Sequence, residues 1–196
     1  MNNKMTYMAP GIPDEFFIRG KVPMTKEEIR TVTLAKAQIQ KDNCVYDVGA
    51  GTGSISIEAA LLANQGKVFA IEKNPQGVAL ILENKKNFKV ENLEAIAGSA
   101  PEALKSLPDA DRIIIGGTGG TLADTLQVCA EKLKPLGIIV INAITIDTLW
   151  YGIANLEKLG FITDTCVINV SKLMPLGTTK AFQSNNPVYI IRGVKS

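Results

Sequence analysis

Asp47, Gly49, Gly51 and Gly53 alternate in the stretch DVGAGTGS, directly after the apolar run CVYDV. Glu72 closes the next apolar run, KVFAIE. A glycine turn between a strand and a helix lets the backbone come close to a nucleotide-like ligand, because glycine lacks Cβ and tolerates positive φ. A triphosphate loop needs lysine and then Ser or Thr after its last glycine. Here Ser54 and Ile55 follow Gly53, which excludes it. A dinucleotide turn needs G-x-G-x-x-G. In GAGTGS the third small position is Ser54 and the extra glycine falls one residue early, a poor match.

The remaining pattern, D-x-G-x-G-x-G, resembles class I S-adenosylmethionine-dependent methyltransferases. That cofactor has no phosphate. It has a flat adenosine and an amino-acid tail that must cross the loop closely. Asp47 is expected to orient the loop or meet the ammonium end, and Gly49, Ala50, Gly51, Thr52 and Gly53 to carry the tail. Glu72, at the end of the second strand, is placed for the two ribose hydroxyls. The plain reading is a tight turn and a solvated strand-end acid. The third strand ends in Gly98-Ser99-Ala100, where the adenine edge is expected. Many class members hold an acid there. Ser99 departs from that, so the contact is weaker or comes from backbone around Ala100. GGTGG, residues 116–120, ends the fourth strand, at the carboxyl edge where parallel sheets bind ligands. Gly116, Gly117 and Gly119 would let a large substrate approach; the alternative is a flexible turn before a helix.

The elements that must position these residues alternate. Thr25 and Glu28 have capping-box spacing and open a helix carrying Ile29, Val32, Ala35 and Ile39. A helix follows the glycine loop from Ile55. Asn74-Pro75 pairs an N-cap with proline at the first helical position. LEAIAG and DRIIIGG read as strands, with the short helix PEALKSL between them. Thr121 and Asp124 form a second capping box, GIIVINA is the fifth strand, and a helix runs from about Ile146 to Leu159 with Gly160 as its stop. This order implies a Rossmann-like α/β fold: a mostly parallel sheet with helices on both faces. FITDTCVINVSKL and PVYIIRG follow each other without a helix, so they are expected to pair as a C-terminal antiparallel hairpin. The domain reading is an N-terminal arm over 1–24 and one domain over 25–196.

The chain has 196 residues, 46% hydrophobic and 20% charged, ordinary for one globular domain. A net charge of +2 gives no electrostatic case for nucleic acid. No apolar run is long enough to span a bilayer and no signal peptide is evident, so a cytoplasmic protein is expected. Cys44, Cys129 and Cys166 are far apart in apolar contexts and read as buried free thiols. There is no histidine, which removes the commonest general base and the commonest zinc ligand. No metal site is expected. Chemistry here must use carboxylates, lysines, hydroxyls or a cofactor with its own reactivity.

GIPDEFFIRGKVPMTKEEIR over 11–30, then DVGAGTGSISIE, IEKNP, GSAPEAL, IIIGGTGG and NVSKLMPLG…NPVYIIRG together resemble one family over about residues 10–193. It is the decarboxylating (cobalt-)precorrin-6B carbon-15 methyltransferase family of cobalamin biosynthesis. The resemblance implies methylation of a tetrapyrrole carbon and loss of the ring C acetate carboxyl, giving cobalt-precorrin-8. It puts S-adenosylmethionine on Thr25 as well as on the loop, Glu72 and Ala100, and implies a homotetramer. Arg19, Lys21, Lys26, Arg30, Lys172 and Lys180 could receive the substrate's carboxylates, with Asp14 and Glu15 as further polar candidates in the arm. Each could equally be a surface charge. Phe16-Phe17 reads as an anchor of the arm, and Trp150 as a packing or subunit contact rather than a wall for the ring. The rival readings are a class I methyltransferase acting on protein (isoaspartyl-like) or RNA, and a non-catalytic nucleotide-binding domain.

Overall fold

Five apolar runs, each followed by a helical or turn segment, form the parallel half of one sheet. The computed structural model describes residues 9–195. The strands are β1 (Cys44–Val48), β2 (Lys67–Glu72), β3 (Leu93–Ala97), β4 (Ala110–Ile115) and β5 (Leu133–Ala143). Helices α1 (Glu27–Ala37), α2 (Ser54–Leu62), α3 (Pro75–Phe88), α4 (Leu122–Lys132) and α5 (Ile146–Lys158) complete the layers. β6 (Phe161–Ile168), β7 (Ser171–Leu176), β8 (Thr179–Ser184) and β9 (Val188–Lys195) end the chain. The sheet order is β3-β2-β1-β4-β5-β9-β6, with β9 antiparallel to both β5 and β6. Strand order reverses between β1 and β4, so the crevice at their carboxyl ends is where such a sheet receives a ligand.

The sheet's period of two splits its core. Val45 and Ile114 face α1 and α2 on one side, while Tyr46, Val48, Ile113 and Ile115 face the side that carries Leu126 of α4 and Leu156 of α5. Asp47, between Tyr46 and Val48, is therefore turned toward α2.

The arm is packed into the first of these cores through Ile12 and Phe17. Burying each contributes about 1.5–3 kcal/mol. The Phe17 ring lies 4.9 Å from that of Phe88 and carries the Arg30 guanidinium 4.6 Å from its centroid, so it is the expected anchor. Residues 1–8 of the arm lie outside the described residues.

Several local expectations are corrected. Neither capping box forms. α1 begins one turn-position late, at Glu27, with no side-chain cap, because Glu28 is drawn to Lys172. Thr121 precedes α4 but spends its hydroxyl on carbonyls of Thr118 and Ala100. Asn74 does cap α3, accepting from the Gln76 amide at 2.9 Å. β6 and β9 are antiparallel neighbours as expected, but they are not a hairpin. The run FITDTCVINVSKL breaks after Ile168, and β7 and β8 form a separate two-stranded sheet. Only Cys129 is buried; Cys44 and Cys166 are half-buried, and all three are free. Trp150 is exposed on α5. No helix among the described residues is long and apolar enough to cross a membrane.

Candidate functional site

The glycine loop closes on itself and on its neighbours. The Gly49 and Ala50 amides donate to the Ile71 carbonyl at 2.9 and 3.1 Å, and Gly53 N donates to Ala50 O at 2.8 Å. Gly49 and Gly51 have φ of +75° and +58°, in the left-handed region that favours glycine. A Cβ on Gly49 would lie 2.4 Å from the Gly117 carbonyl oxygen, and one on Gly51 would lie 2.8 Å from that of Pro23. These glycines thus let the arm and the β4 loop close directly onto the β1 loop.

Glu72 is nearly buried at the end of β2. Its Oε2 accepts from Gly51 N and its Oε1 from Asn74 N, both at 2.8 Å. Each oxygen keeps a second lone pair, and the carboxylate lines the crevice as a fixed double acceptor suited to a diol. Gly77, in the first turn of α3, makes room for it: a Cβ there would lie 2.7 Å from Glu72 Cγ and 3.0 Å from Gly51 O. The sequence reading missed Gly77. Its signal was a glycine just inside a well-capped helix, where it costs helix stability unless something must pass close by.

Two cavities meet at this loop. The first, about 340 Å³, runs past Glu72 to Gly98, Ser99 and Ala100 and back along Gly116, Gly117 and Gly119, with Val22 and Pro23 of the arm on its other wall. The second, about 350 Å³, is lined by Thr25, Lys26, Glu28 and Ile29, by Asn142 near the end of β5 and Ile144 just after it, and by Val170, Asn185 and Asn186 from the segments between the C-terminal strands with Val188 of β9. Pro23, Gly49, Gly51 and Gly116 line both. Each is within the range of small-molecule sites, about 300–1,000 Å³.

Most expected site residues converge here: Gly49, Ala50, Gly51, Glu72, Ser99, Ala100, Gly116, Gly117 and Gly119 line one cavity or both, and Thr25 lines the second. Asp47, Thr52 and Gly53 line neither and are buried. Asp47 accepts a hydrogen bond from the Ser56 hydroxyl on Oδ2 and has no partner for Oδ1. Burial pushes its carboxyl up to about 6; the Ser56 bonds oppose that rise and the Glu72 charge adds to it. Arg19 lines a shallow groove along the arm beside the cavities, and Lys21 is exposed.

Arg30 is corrected outright as a carboxylate receiver. It is fully buried, pairs with Glu58 at 2.5 Å and Asp14 at 3.1 Å, and donates to the carbonyls of Thr25 and Ile12. Glu58 also accepts from the amides of Gly11 and Ile12 at 2.7 and 3.1 Å. This network clamps the arm over the loop and uses up Asp14. Lys172 is likewise engaged, donating to Glu28 Oε1 at 2.7 Å. Burial pushes Glu28 up, but the bond and charge of Lys172, with the charge of Arg30, pull it below the usual carboxylate range. Glu28 Oε2 has no partner. Asn142 carries no spacing signal that would single it out in the sequence, and the only one Glu28 carries is that of a helix cap.

A family model described as a precorrin methyltransferase domain matches residues 15–195. A Sulfolobus acidocaldarius protein named probable cobalt-precorrin-6B C(15)-methyltransferase (decarboxylating) is 43% identical over 190 residues, covering 95% of this chain and 98% of that protein. The Salmonella typhimurium cobalt-precorrin-6B C(15)-methyltransferase (decarboxylating) is 39% identical over 180 residues, covering 91% and 93%. The crystal structure of a precorrin-6y C5,15-methyltransferase from Geobacter metallireducens superposes with a TM-score of 0.91 at 43% identity, covering 96% of this chain and all of that one.

Proposed function

The chain belongs to the precorrin methyltransferase family, and from that premise we propose that it methylates carbon 15 of cobalt-precorrin-6B with loss of the ring C acetate carboxyl, giving cobalt-precorrin-8. The methyl donor is S-adenosylmethionine. The observation that carries this reading is the pair of cavities joined at Pro23, Gly49, Gly51 and Gly116, one with a fixed carboxylate and one without. A donor and an acceptor can then meet across the loop.

When bound, the cofactor supplies a methyl group already activated on a sulfonium. The chain supplies placement. Glu72 takes the ribose diol, the backbone of Gly98, Ser99 and Ala100 borders the adenine, and Thr25 with the Gly49–Gly51 turn takes the amino-acid tail. Asp47 acts from behind, holding α2 and the loop together through Ser56. The nucleophile is a meso carbon made electron-rich by the conjugated ring, so no strong protein base is needed, which suits a chain without histidine. In decarboxylation the bond to the carboxyl carbon breaks and carbon dioxide leaves. The bonding pair enters the macrocycle and returns to a solvent proton, completing a methyl group. Alignment of donor and acceptor can supply roughly 7–11 kcal/mol of the barrier.

The β7–β8 sheet supports assembly into a homotetramer. Two strands alone are marginal in water, and these expose Leu173, Leu176 and Phe182. A light-scattering mass equal to one chain at working concentration would reject that part.

The test of function is turnover of cobalt-precorrin-6B with S-adenosylmethionine, read by mass spectrometry. The expected product is heavier by one methyl group and lighter by one carbon dioxide. Tight cofactor binding with an unchanged tetrapyrrole would overturn the substrate assignment.

A further inference from the structure

The acceptor cavity is too small for its proposed occupant. At about 350 Å³ it stands near the foot of the range for small-molecule sites, about 300–1,000 Å³. A tetrapyrrole with several carboxylate arms is larger than the drug-sized ligands that fill such sites. One edge of the macrocycle can enter and meet the donor, and the rest must lie outside. The groove along the arm, about 450 Å³, is the adjoining space. Pro23, Met24 and Lys26 line both the groove and the cavity, and Arg19 lies in the groove.

The charges at this junction are arranged for an anion. Lys26 is the one cation on the cavity wall among the described residues. Its ammonium stands 3.6 Å from Asp14 Oδ2, beyond the 2.7–3.2 Å of an N–H···O hydrogen bond. Asp14 is held more closely by the buried Arg30, at 3.1 Å, so Lys26 can turn away without leaving that carboxylate unpaired. The one acid on the wall, Glu28, is balanced by Lys172 at 2.7 Å. Arg19 is exposed and makes no ion pair among the described residues. The backbone that presents these cations is fixed at both ends. The fully buried Asn84 accepts from Ile18 N at 2.8 Å and donates to the Ile18 and Thr52 carbonyls, each at 3.0 Å, which ties the arm to the glycine loop. Farther along, the Pro23 carbonyl closes onto Gly51.

Resting on the function proposed above, we propose that the groove along the arm is the outer part of the tetrapyrrole site: one edge of the macrocycle enters the acceptor cavity, and carboxylates on its remaining periphery lie along residues 19–26, received by Lys26 at the junction and by Arg19 farther out. Lys26 exchanges a loose ion pair for a charge-assisted hydrogen bond, and Arg19 can take a carboxylate through two parallel bonds. The meso carbons of a tetrapyrrole are chemically similar, so contacts at the reacting edge alone select poorly among them. Contacts on the far periphery set which edge reaches the donor.

The experiment measures kcat and KM for cobalt-precorrin-6B at saturating S-adenosylmethionine, with calorimetric titration of S-adenosylhomocysteine in parallel. Lys26→Met and Arg19→Met should each raise KM about 5- to 10-fold, between the effects of exposed ion pairs and of hydrogen bonds to charged groups. The kcat should hold, because these contacts are alike in the ground and transition states. The S-adenosylhomocysteine affinity should stay at the wild-type value. Added salt should raise the wild-type KM and raise that of the double variant less, which a packing role for the two side chains would not produce. Lys41→Met removes the same charge just before β1, at the opposite edge of the sheet, and should leave KM unchanged. An unchanged KM in either Lys26→Met or Arg19→Met overturns the assignment. An equal rise in Lys41→Met reduces the effect to net charge and overturns it too, as does a parallel fall in S-adenosylhomocysteine affinity. A wild-type enzyme that does not turn over the tetrapyrrole sinks the functional reading and this one with it; normal wild-type turnover with indifferent arm variants sinks only this one.

Discussion

Replacing Gly77 by alanine tests whether the Glu72 carboxylate is held in place from behind. The added Cβ would sit 2.7 Å from Glu72 Cγ, 3.1 Å from Cδ and 3.0 Å from Gly51 O. Carbon atoms settle at about 3.5–4.0 Å, so Glu72 must retreat by roughly 1 Å. Two effects on stability oppose each other. Alanine in place of glycine stabilises a helix by up to about 1 kcal/mol. Overpacking costs about 1–3 kcal/mol. With the full helix gain of about 1 kcal/mol the net loss is about 0–2 kcal/mol, or up to some 4–8 °C in Tm for a domain of this size. Cofactor affinity has no such compensation. Displacing the carboxylate from a charge-assisted bond costs about 1.5–3 kcal/mol, which is roughly 10- to 150-fold in Kd. Calorimetry with S-adenosylhomocysteine on Gly77→Ala, Glu72→Ala and the double variant reads the mechanism. Each single variant should bind weakly. The double variant should bind no worse than Glu72→Ala, because the side chain that the added methyl displaces is gone. Wild-type affinity in Gly77→Ala, or fully additive losses in the double variant, would refute the reasoning.

Three other outcomes follow from the same geometry. Gly51→Val should abolish cofactor binding and loosen the arm, because its φ of +58° and the Pro23 carbonyl at 2.8 Å both oppose a side chain; normal titration would remove the loop from the site. Arg30→Met should cost about 3–5 kcal/mol in urea unfolding, since it leaves Glu58 buried without its cation; a loss below about 1 kcal/mol would show that the clamp carries little. Asp47 makes the fold favour low pH. Its native carboxyl is pushed up to about 6 by burial, against near 4 in the unfolded chain. The native state thus holds the proton more tightly, and stability falls as pH rises from about 4 to about 6. Asp47→Asn should gain on the wild type by on the order of 3 kcal/mol between unfolding at pH 4 and at pH 7. A constant gap would contradict the burial argument.

The parts of the site carried by backbone pattern were legible in the sequence. Apolar runs ending in Glu72, Ser99 and Gly116 put those residues at strand ends, and a parallel sheet gathers strand ends at one edge. The parts carried by long-range side-chain contacts were not. Glu28 has capping-box spacing from Thr25, but Lys172, distant in sequence, offers an opposite charge at 2.7 Å and takes it away. Arg30 looked like a surface cation because nothing local announces that Asp14 and Glu58 will enclose it. The break between β6 and β9 does have a local signal. Gly177, with φ of +58°, begins a two-residue turn between β7 and β8, and the glycine in LGTT is the residue type such a turn requires.

The two cavities draw on different lengths of chain. Every wall of the one facing Glu72 comes from Val22 through Gly119, whereas the other waits for Val188. A ribosome delivers the first set before any of α4 has been made. Premature termination anywhere between Leu122 and Val188 would leave a polypeptide that encodes all the walls of one chamber and lacks part of the other. The chamber we propose for the methyl donor is thus specified before the one we propose for its acceptor.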